Sequence, residues 1–256
     1  MKDPTILGVP TFLYAQPLWK PFQQHDGYSI RQDSSAQLAL QLRNRTLDAA
    51  LLSPIDYAKD YAEYRIVPRV GVSSKGETGT VLLLFPKGLK SIRTIAVDPS
   101  STSEIVLCRI VLTEQYDISP TFVPVPGKLV APHEGTDATL LVCERPFDVP
   151  GYLDLVGEWT DMTELPYVHS FWASREDDLS PRDIRLMIEG GGEANAVMTA
   201  LDGEESFRYS FGGEETEGLW EFLRMAYYHG ILQDIADVKF HPAPVRAPDE
   251  ENRSAR

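Results

Sequence analysis

Four consecutive hydroxyl residues, Ser100, Ser101, Thr102 and Ser103, stand between a β-branched run, Thr94–Val97, and a segment with helical apolar spacing that reaches Leu112. That order predicts strand, turn, helix. The first turn of a helix has unpaired N–H groups and the positive end of the macrodipole, so hydroxyls gathered there make an anion site. Plain N-capping is the competing use, and the two are compatible. A second element of the same kind comes earlier. Leu47–Leu52 is an apolar strand, and Ser53-Pro54 opens a helix with proline at its first position. Ser53 either contacts a ligand or only caps. Two strand-to-helix anion sites in one chain point to a cleft for a small molecule bearing carboxylates.

Other chemistries find little support. The five histidines show no metal spacing, and GxSxG, HExxH and Walker loops are absent. His169, on a strand-like alternation from Tyr167 to Ala173, is the one histidine with a case for lying near a cleft, and a satisfied structural histidine is the favoured reading. Cys108 and Cys143 sit in apolar runs without CxxC spacing and read as free, buried thiols. The net charge of −14 argues against a phosphate-backbone partner. It is unevenly placed: residues 1–92 hold 11 Lys+Arg against 8 Asp+Glu, and residues 93–256 hold 13 against 30. Electrostatic help for an anion would therefore come mainly from the N-terminal part and from helix ends, and the acidic half reads first as a solvated, solubilising surface. No apolar run approaches the roughly 18 residues of a membrane helix. The first residues, MKDPTILGVP, lack the apolar core of a secretory signal, so a cytoplasmic location is expected.

The elements that must hold these residues alternate between strand and helix, which favours an α/β fold. Strands are predicted at Ile6–Val9, Leu47–Leu52, Ile66–Val72, Thr80–Phe85, Thr94–Val97, Thr121–Val125, Ala138–Cys143 and Tyr167–Ala173. Helices are predicted at Ala36–Arg45, capped by Ser34 and Ser35, at Pro54–Tyr61, after Ser103, from Asp183 to a stop at Gly190-Gly191-Gly192, and at Gly218–Tyr228 with Gly230 as cap. Asp154–Glu164 reads as amphipathic or loop. Trp159 and Trp172 read as core. The chain from His241 reads as a disordered tail. In a two-lobed clamp, 1–90 and 180–240 would form one lobe and 91–179 the other, with crossovers at 86–93 and 170–182. The ligand would lie between them.

The motifs TFLYAQPL (Thr11–Leu18), LDAALLSPIDYA (Leu47–Ala58), YRIVPRVGVSSKGETGTVLLLF (Tyr64–Phe85), IAVDPSSTSEIVLCRIVL (Ile95–Leu112) and DLVGEWTDMTELPYVHSFWA (Asp154–Ala173) occur in an order that resembles the MqnA/MqnD family of futalosine-pathway menaquinone biosynthesis proteins. They are more similar to the chorismate dehydratase branch than to the dihydroxynaphthoate synthase branch. The resemblance implies a two-lobed fold of the type II periplasmic binding protein kind, with the ligand cleft between lobes, used as a lyase. It implies loss of water from chorismate to give 3-[(1-carboxyvinyl)oxy]benzoate, with no metal or organic cofactor. Partners would be a small carboxylated metabolite, not nucleic acid or membrane, in a monomer or homodimer. Carried onto this chain, the substrate contacts are Thr11, Ser53, Gly79, Ser100, Ser101, Thr102 and Ser103, and the catalytic positions are Tyr14 and Thr80. Two departures stand out. The family's asparagine in the first loop is Tyr14 here, a bulky ring with one distal hydroxyl in place of a compact amide. The family's serine before Val-Leu-Leu is Thr80, which reads equally as the start of a buried strand. Glu144 stands near the place of a family aspartate. The alternatives to a dehydratase are a non-catalytic carboxylate-binding protein of the same fold and a lyase with another substrate.

Overall fold

The computed structural model describes residues 3–143, 151–202 and 207–244, and the side chains among these except at 197–202. In chain order the elements are β1 (Thr5–Pro10), α1 (Gln16–Trp19), β2 (Tyr28–Asp33), α2 (Ser35–Arg43), β3 (Ala49–Leu52), α3 (Pro54–Ala58), β4 (Arg65–Ser74), β5 (Val81–Leu84), β6 (Thr94–Val97) and α4 (Thr102–Tyr116). They continue with β7 (Thr121–Pro124), β8 (Ala138–Val142), β9 (Tyr152–Asp154), α5 (Leu155–Thr163), β10 (Tyr167–Ser174), α6 (Pro181–Asp202), β11 (Arg208–Phe211) and α7 (Gly213–Tyr228).

The uninterrupted apolar runs become interior strands, because a strand flanked on both sides by neighbours and covered on both faces has no polar position to offer. One sheet has the order β11-β4-β10-β3-β1-β2 and the other β7-β6-β8-β5-β9. β3 and β10 are buried along their whole length, as is β5. β1 runs parallel to β2 and β3, while β10 lies antiparallel to β3 and β4. In the second sheet β6 is parallel to β7 and β8, and β5 is antiparallel to β8 and β9. These are two mixed α/β sheets, one per lobe. The largest apolar cluster runs through both, joining Leu52, Ile55 and Phe171 to Leu83, Leu107, Val111 and Trp159, while a second, around Leu7, Val72 and Trp172, belongs to the first lobe. Trp159 and Trp172 are fully buried core residues.

The sheets exchange chain at other places than the expected crossovers. β5 belongs to the second sheet, with Leu82 opposite Leu141 and Leu83 opposite Leu153, and β10 belongs to the first. The connections are therefore residues 75–80 and the α5 region, 155–166, rather than 86–93 and 170–182. Pairing decided this, since a strand buried on both faces is compatible with either sheet until its partners are known. The triple glycine also behaves differently from a helix stop. α6 runs straight through Gly190, Gly191 and Gly192. A Cβ on Gly191 would lie 2.7 Å from Val70 Cγ2 and 2.9 Å from the Tyr209 carbonyl oxygen, so glycine lets the helix sit directly on β4 and β11. Asp154–Glu164 resolves into a strand end and a helix. His241, placed at the head of a disordered tail, is buried: its N–H donates to the Ile66 carbonyl and its Nε2 lies 2.8 Å from Ser174 Oγ. Residues 245–256 of that tail lie outside the described residues. Among the described residues no helix is long and apolar enough to cross a membrane.

Candidate functional site between the lobes

A cleft of about 200 Å³ opens where the carboxyl ends of parallel strands from both lobes face each other, the usual place for a ligand in open α/β sheets. Thr11 and Phe12 after β1, and Asp33, Ser34 and Ser35 between β2 and α2, line one side. Asp98, Ser100, Ser101, Glu104, Lys128 and Val142 line the other. The N-termini of α2 and α4 thus both open on the cleft, with Ser34 and Ser101 at their cap positions and neither side chain making a cap bond. The two aspartates hold loops in shape. Asp33 accepts from the Ser34 N–H and from Gln41 Nε2, each at 2.8 Å, and Asp98 accepts from Ser100 N–H at 2.9 Å and Ser100 Oγ at 2.8 Å.

Ser53, Thr102 and Ser103 do different work. Ser103 Oγ donates to Ser53 Oγ at 2.9 Å and accepts from Ile55 N–H at 3.0 Å. Ser53 Oγ donates to Asp56 Oδ2 at 2.9 Å, and Thr102 Oγ1 donates to the same oxygen at 2.7 Å. Lys59 Nζ pairs with Asp56 Oδ1 at 2.8 Å. Asp56 is 0% exposed. Because α3 belongs to the first lobe and α4 to the second, this network clasps the lobes together through the start of each helix.

Gly79 and Thr80 lie at the first connection between lobes. The amides of Thr78 and Gly79 donate to Asp154 Oδ2 at 2.8 and 2.6 Å, while Asp154 Oδ1 takes Val156 N–H and Gly157 N–H at 2.9 and 3.1 Å. One buried carboxylate therefore caps α5 and fastens both connections. Gly79 has φ +66°, a conformation glycine reaches without strain. Thr80 is fully buried, with its Oγ1 2.8 Å from Thr78 Oγ1.

Tyr14 sits at the edge of a buried aromatic group and is 8% exposed. Its ring stacks between Phe12 (centroids 5.1 Å) and Phe207 (4.9 Å) and meets His169 at 5.1 Å. Tyr167 touches His169 edge-on at 5.0 Å. Burial first, then the neighbouring Glu104 charge, pushes the Tyr14 phenol far above its ordinary value, so it stays protonated. Burial lowers His169 to about 3 and keeps its ring neutral. His169 Nε2 lies 2.6 Å from Ser74 Oγ, while Nδ1, the Tyr167 hydroxyl and Ser170 Oγ are buried with no hydrogen-bond partner among the described residues.

Glu104 joins this group to the cleft. It occupies the first turn of α4, is 5% exposed, lines the cleft, and acts electrostatically on both Tyr14 and Tyr167. Burial, reinforced by Asp56 and Asp98, raises its carboxyl to about 7. Sequence reasoning passed over Glu104 because Ser101-Thr102-Ser103-Glu104 has the S-x-x-E spacing of a capping box, where glutamate has a structural use. Asp154 and Asp56 escaped notice as ordinary helix-start acids. Thr11, Ser100 and Ser101 are the expected contacts that the structure brings together in the cleft. Glu144 lies outside the described residues.

Residues 6–198 match the family model described as menaquinone biosynthesis. The chain belongs to that family. Among curated relatives, a chorismate dehydratase from Thermus thermophilus is 24% identical over 222 residues, spanning 77% of this chain and 81% of the relative. The Candida albicans CA3427 gene product, described as having the generic periplasmic binding protein fold, superposes with a TM-score of 0.60 at 14% identity, over 96% of this chain and 99% of that one. The periplasmic aliphatic sulphonate binding protein SsuA from Escherichia coli superposes with a TM-score of 0.55 at 15% identity, over 93% and 96% of the two chains. This member of the menaquinone biosynthesis family therefore has the fold of periplasmic binding proteins.

Proposed function

We propose that this protein dehydrates chorismate to 3-[(1-carboxyvinyl)oxy]benzoate in the interlobe cleft. The observation that carries the reading is the cleft itself: the starts of α2 and α4, with Ser34, Ser35 and Ser101, face one space that also holds Lys128. Two helix N-termini opening on one space suit a ligand with two separated carboxylates. The distant chorismate dehydratase relative supports that substrate. Fixed dipoles and hydroxyls would orient the bound diacid, and the clasp would keep bulk water out during loss of the ring hydroxyl.

A second reading, binding without turnover, is favoured by one observation: the Tyr14 ring, which the resemblance sets at the family's asparagine position, is locked between Phe12 and Phe207. Incubation of the purified protein with chorismate, followed by mass-resolved chromatography, separates the two. Product above the uncatalysed background supports the dehydratase. A chorismate-dependent rise in melting temperature without product supports the binding protein.

A further inference from the structure

We propose that the Tyr167 hydroxyl and His169 Nδ1 form an inner, uncharged subsite that takes a neutral ring hydroxyl of the bound ligand, with Tyr14 as its door. The inference rests on the chorismate reading above and holds with or without turnover. Both atoms are buried, and among the described residues neither has a hydrogen-bond partner. An unmatched polar atom in the interior is costly, and a native structure keeps one for a reason. Packing holds the two rings where they are: Tyr167 lies edge-on to Trp159 and Phe222, and His169 lies against Phe207. They meet each other edge-on at 5.0 Å, so the unmatched atoms belong to one group. Contacts lead from this group to the cleft. Phe12 lines the cleft, Tyr14 stacks on Phe12, and Tyr14 meets His169 at 5.1 Å. Glu104 also lines the cleft, and its charge reaches both Tyr14 and Tyr167. Of the three inner rings Tyr14 is the most exposed, at 8% against 3% for His169 and 1% for Tyr167. Rotation of the Tyr14 side chain is the move that opens the inner pair to the cleft.

The chemistry of the pair decides what it accepts. Burial lowers His169 to about 3 and pushes the Tyr167 phenol far above its ordinary value, so both stay neutral. Neither supplies a countercharge, and an ionised Glu104 nearby repels a carboxylate. A neutral oxygen is what fits. The Tyr167 hydroxyl both gives and accepts a hydrogen bond. His169 Nδ1 gives or accepts according to which ring nitrogen carries the proton, while Nε2 faces Ser74 Oγ at 2.6 Å. A ligand hydroxyl asks for one donor and one acceptor, and the pair has both to offer. Chorismate carries such a hydroxyl across the ring from its ring carboxylate. With the carboxylates at the starts of α2 and α4, that hydroxyl points inward toward Tyr167 and His169.

The test is the affinity of wild type, Tyr167→Phe and His169→Phe for chorismate, read as KM where it is turned over and as Kd where it is only bound. Melting temperatures of the unliganded samples accompany it. Tyr167→Phe keeps the ring and deletes the hydroxyl alone. It should weaken chorismate about tenfold, yet leave the unliganded melting temperature unchanged or higher, because an unmatched hydroxyl has gone. His169→Phe keeps a ring beside Tyr14 and should weaken chorismate by a similar factor. Wild type should also hold 4-hydroxybenzoate about tenfold more tightly than benzoate, a preference that Tyr167→Phe loses. Wild-type binding of chorismate with both variants within about threefold of it, or with no preference between the two benzoates, would overturn the subsite and leave the chorismate reading intact. A lower unliganded melting temperature for Tyr167→Phe would do the same, since the hydroxyl would then have a partner without ligand. No binding of chorismate by wild type would overturn both.

Discussion

Replacing Ser103 by alanine removes one oxygen and two of the links in the interlobe clasp. The hydroxyl donates to Ser53 and accepts from Ile55 N–H, and all three residues are buried. A neutral hydrogen bond contributes about 1 kcal/mol net, and a buried N–H left without an acceptor costs about 1–3 kcal/mol. The loss should therefore total about 2–4 kcal/mol. For a chain of this length that lowers the melting temperature by on the order of 5–15 °C. Ser100→Ala is the control: among the described residues that hydroxyl bonds to Asp98 alone, two residues away and part-exposed, so its removal should cost less than about 1 kcal/mol. Thermal and urea unfolding of the two variants, followed by near-UV circular dichroism, gives the comparison. If Ser103→Ala and Ser100→Ala unfold at the same temperature, the clasp contributes nothing and the argument from partners fails.

Three further outcomes are expected. Gly190→Ala and Gly192→Ala face open space inside a helix and should each stabilise by up to about 1 kcal/mol, whereas Gly191→Ala must push against Val70 and Tyr209 and should destabilise by about 1–3 kcal/mol; equal melting temperatures would contradict the packing. Glu104 and His169 set opposing pH slopes. Burial raises Glu104 from 4.5 to about 7, so the native state holds an additional proton in that window and stability falls as pH rises through it; burial lowers His169 from 6.5 to about 3, so stability rises with pH there. Between 4.5 and 6.5 these slopes cancel, and Glu104→Gln should turn a flat stability profile into one that climbs with pH; identical urea midpoints trends for wild type and variant would refute the assignment. Tyr14→Phe keeps the stack with Phe12 and Phe207 and should retain turnover within about threefold, since a general acid would lose 100-fold or more, while Tyr14→Asn opens a buried gap and should cost about 3 kcal/mol in unfolding measurements.

The strands and helices were legible where local pattern and burial agree. Leu47–Leu52 and Thr80–Phe85 read as buried strands because, past Asp48 and Thr80 at their starts, they are wholly apolar, and α2 and α4 were announced by their serine starts. Sheet membership was not legible: β5 and β10 are buried throughout, and only pairing tells which lobe takes them. The triple glycine misled because its reason is a contact with Val70 and Tyr209, far away in sequence. At the site, hydroxyl types and spacing pointed to both helix starts, yet spacing cannot separate a serine facing the cleft from one facing the other lobe. Ser100 and Ser101 line the cleft, while Ser53, Thr102 and Ser103 bond across to a buried Asp56. Glu104 was hidden by its ordinary-looking place in a capping pattern.

Asp154 sets how such a molecule can move. Both peptide connections between the lobes are pinned to one side chain, through the amides of Thr78 and Gly79 on one and of Val156 and Gly157 on the other. Two straps riveted at one spot can swing about the rivet but cannot slide past each other. Any opening of the jaws would thereby be confined to a pivot, and closing would return the starts of α3 and α4 to the same register.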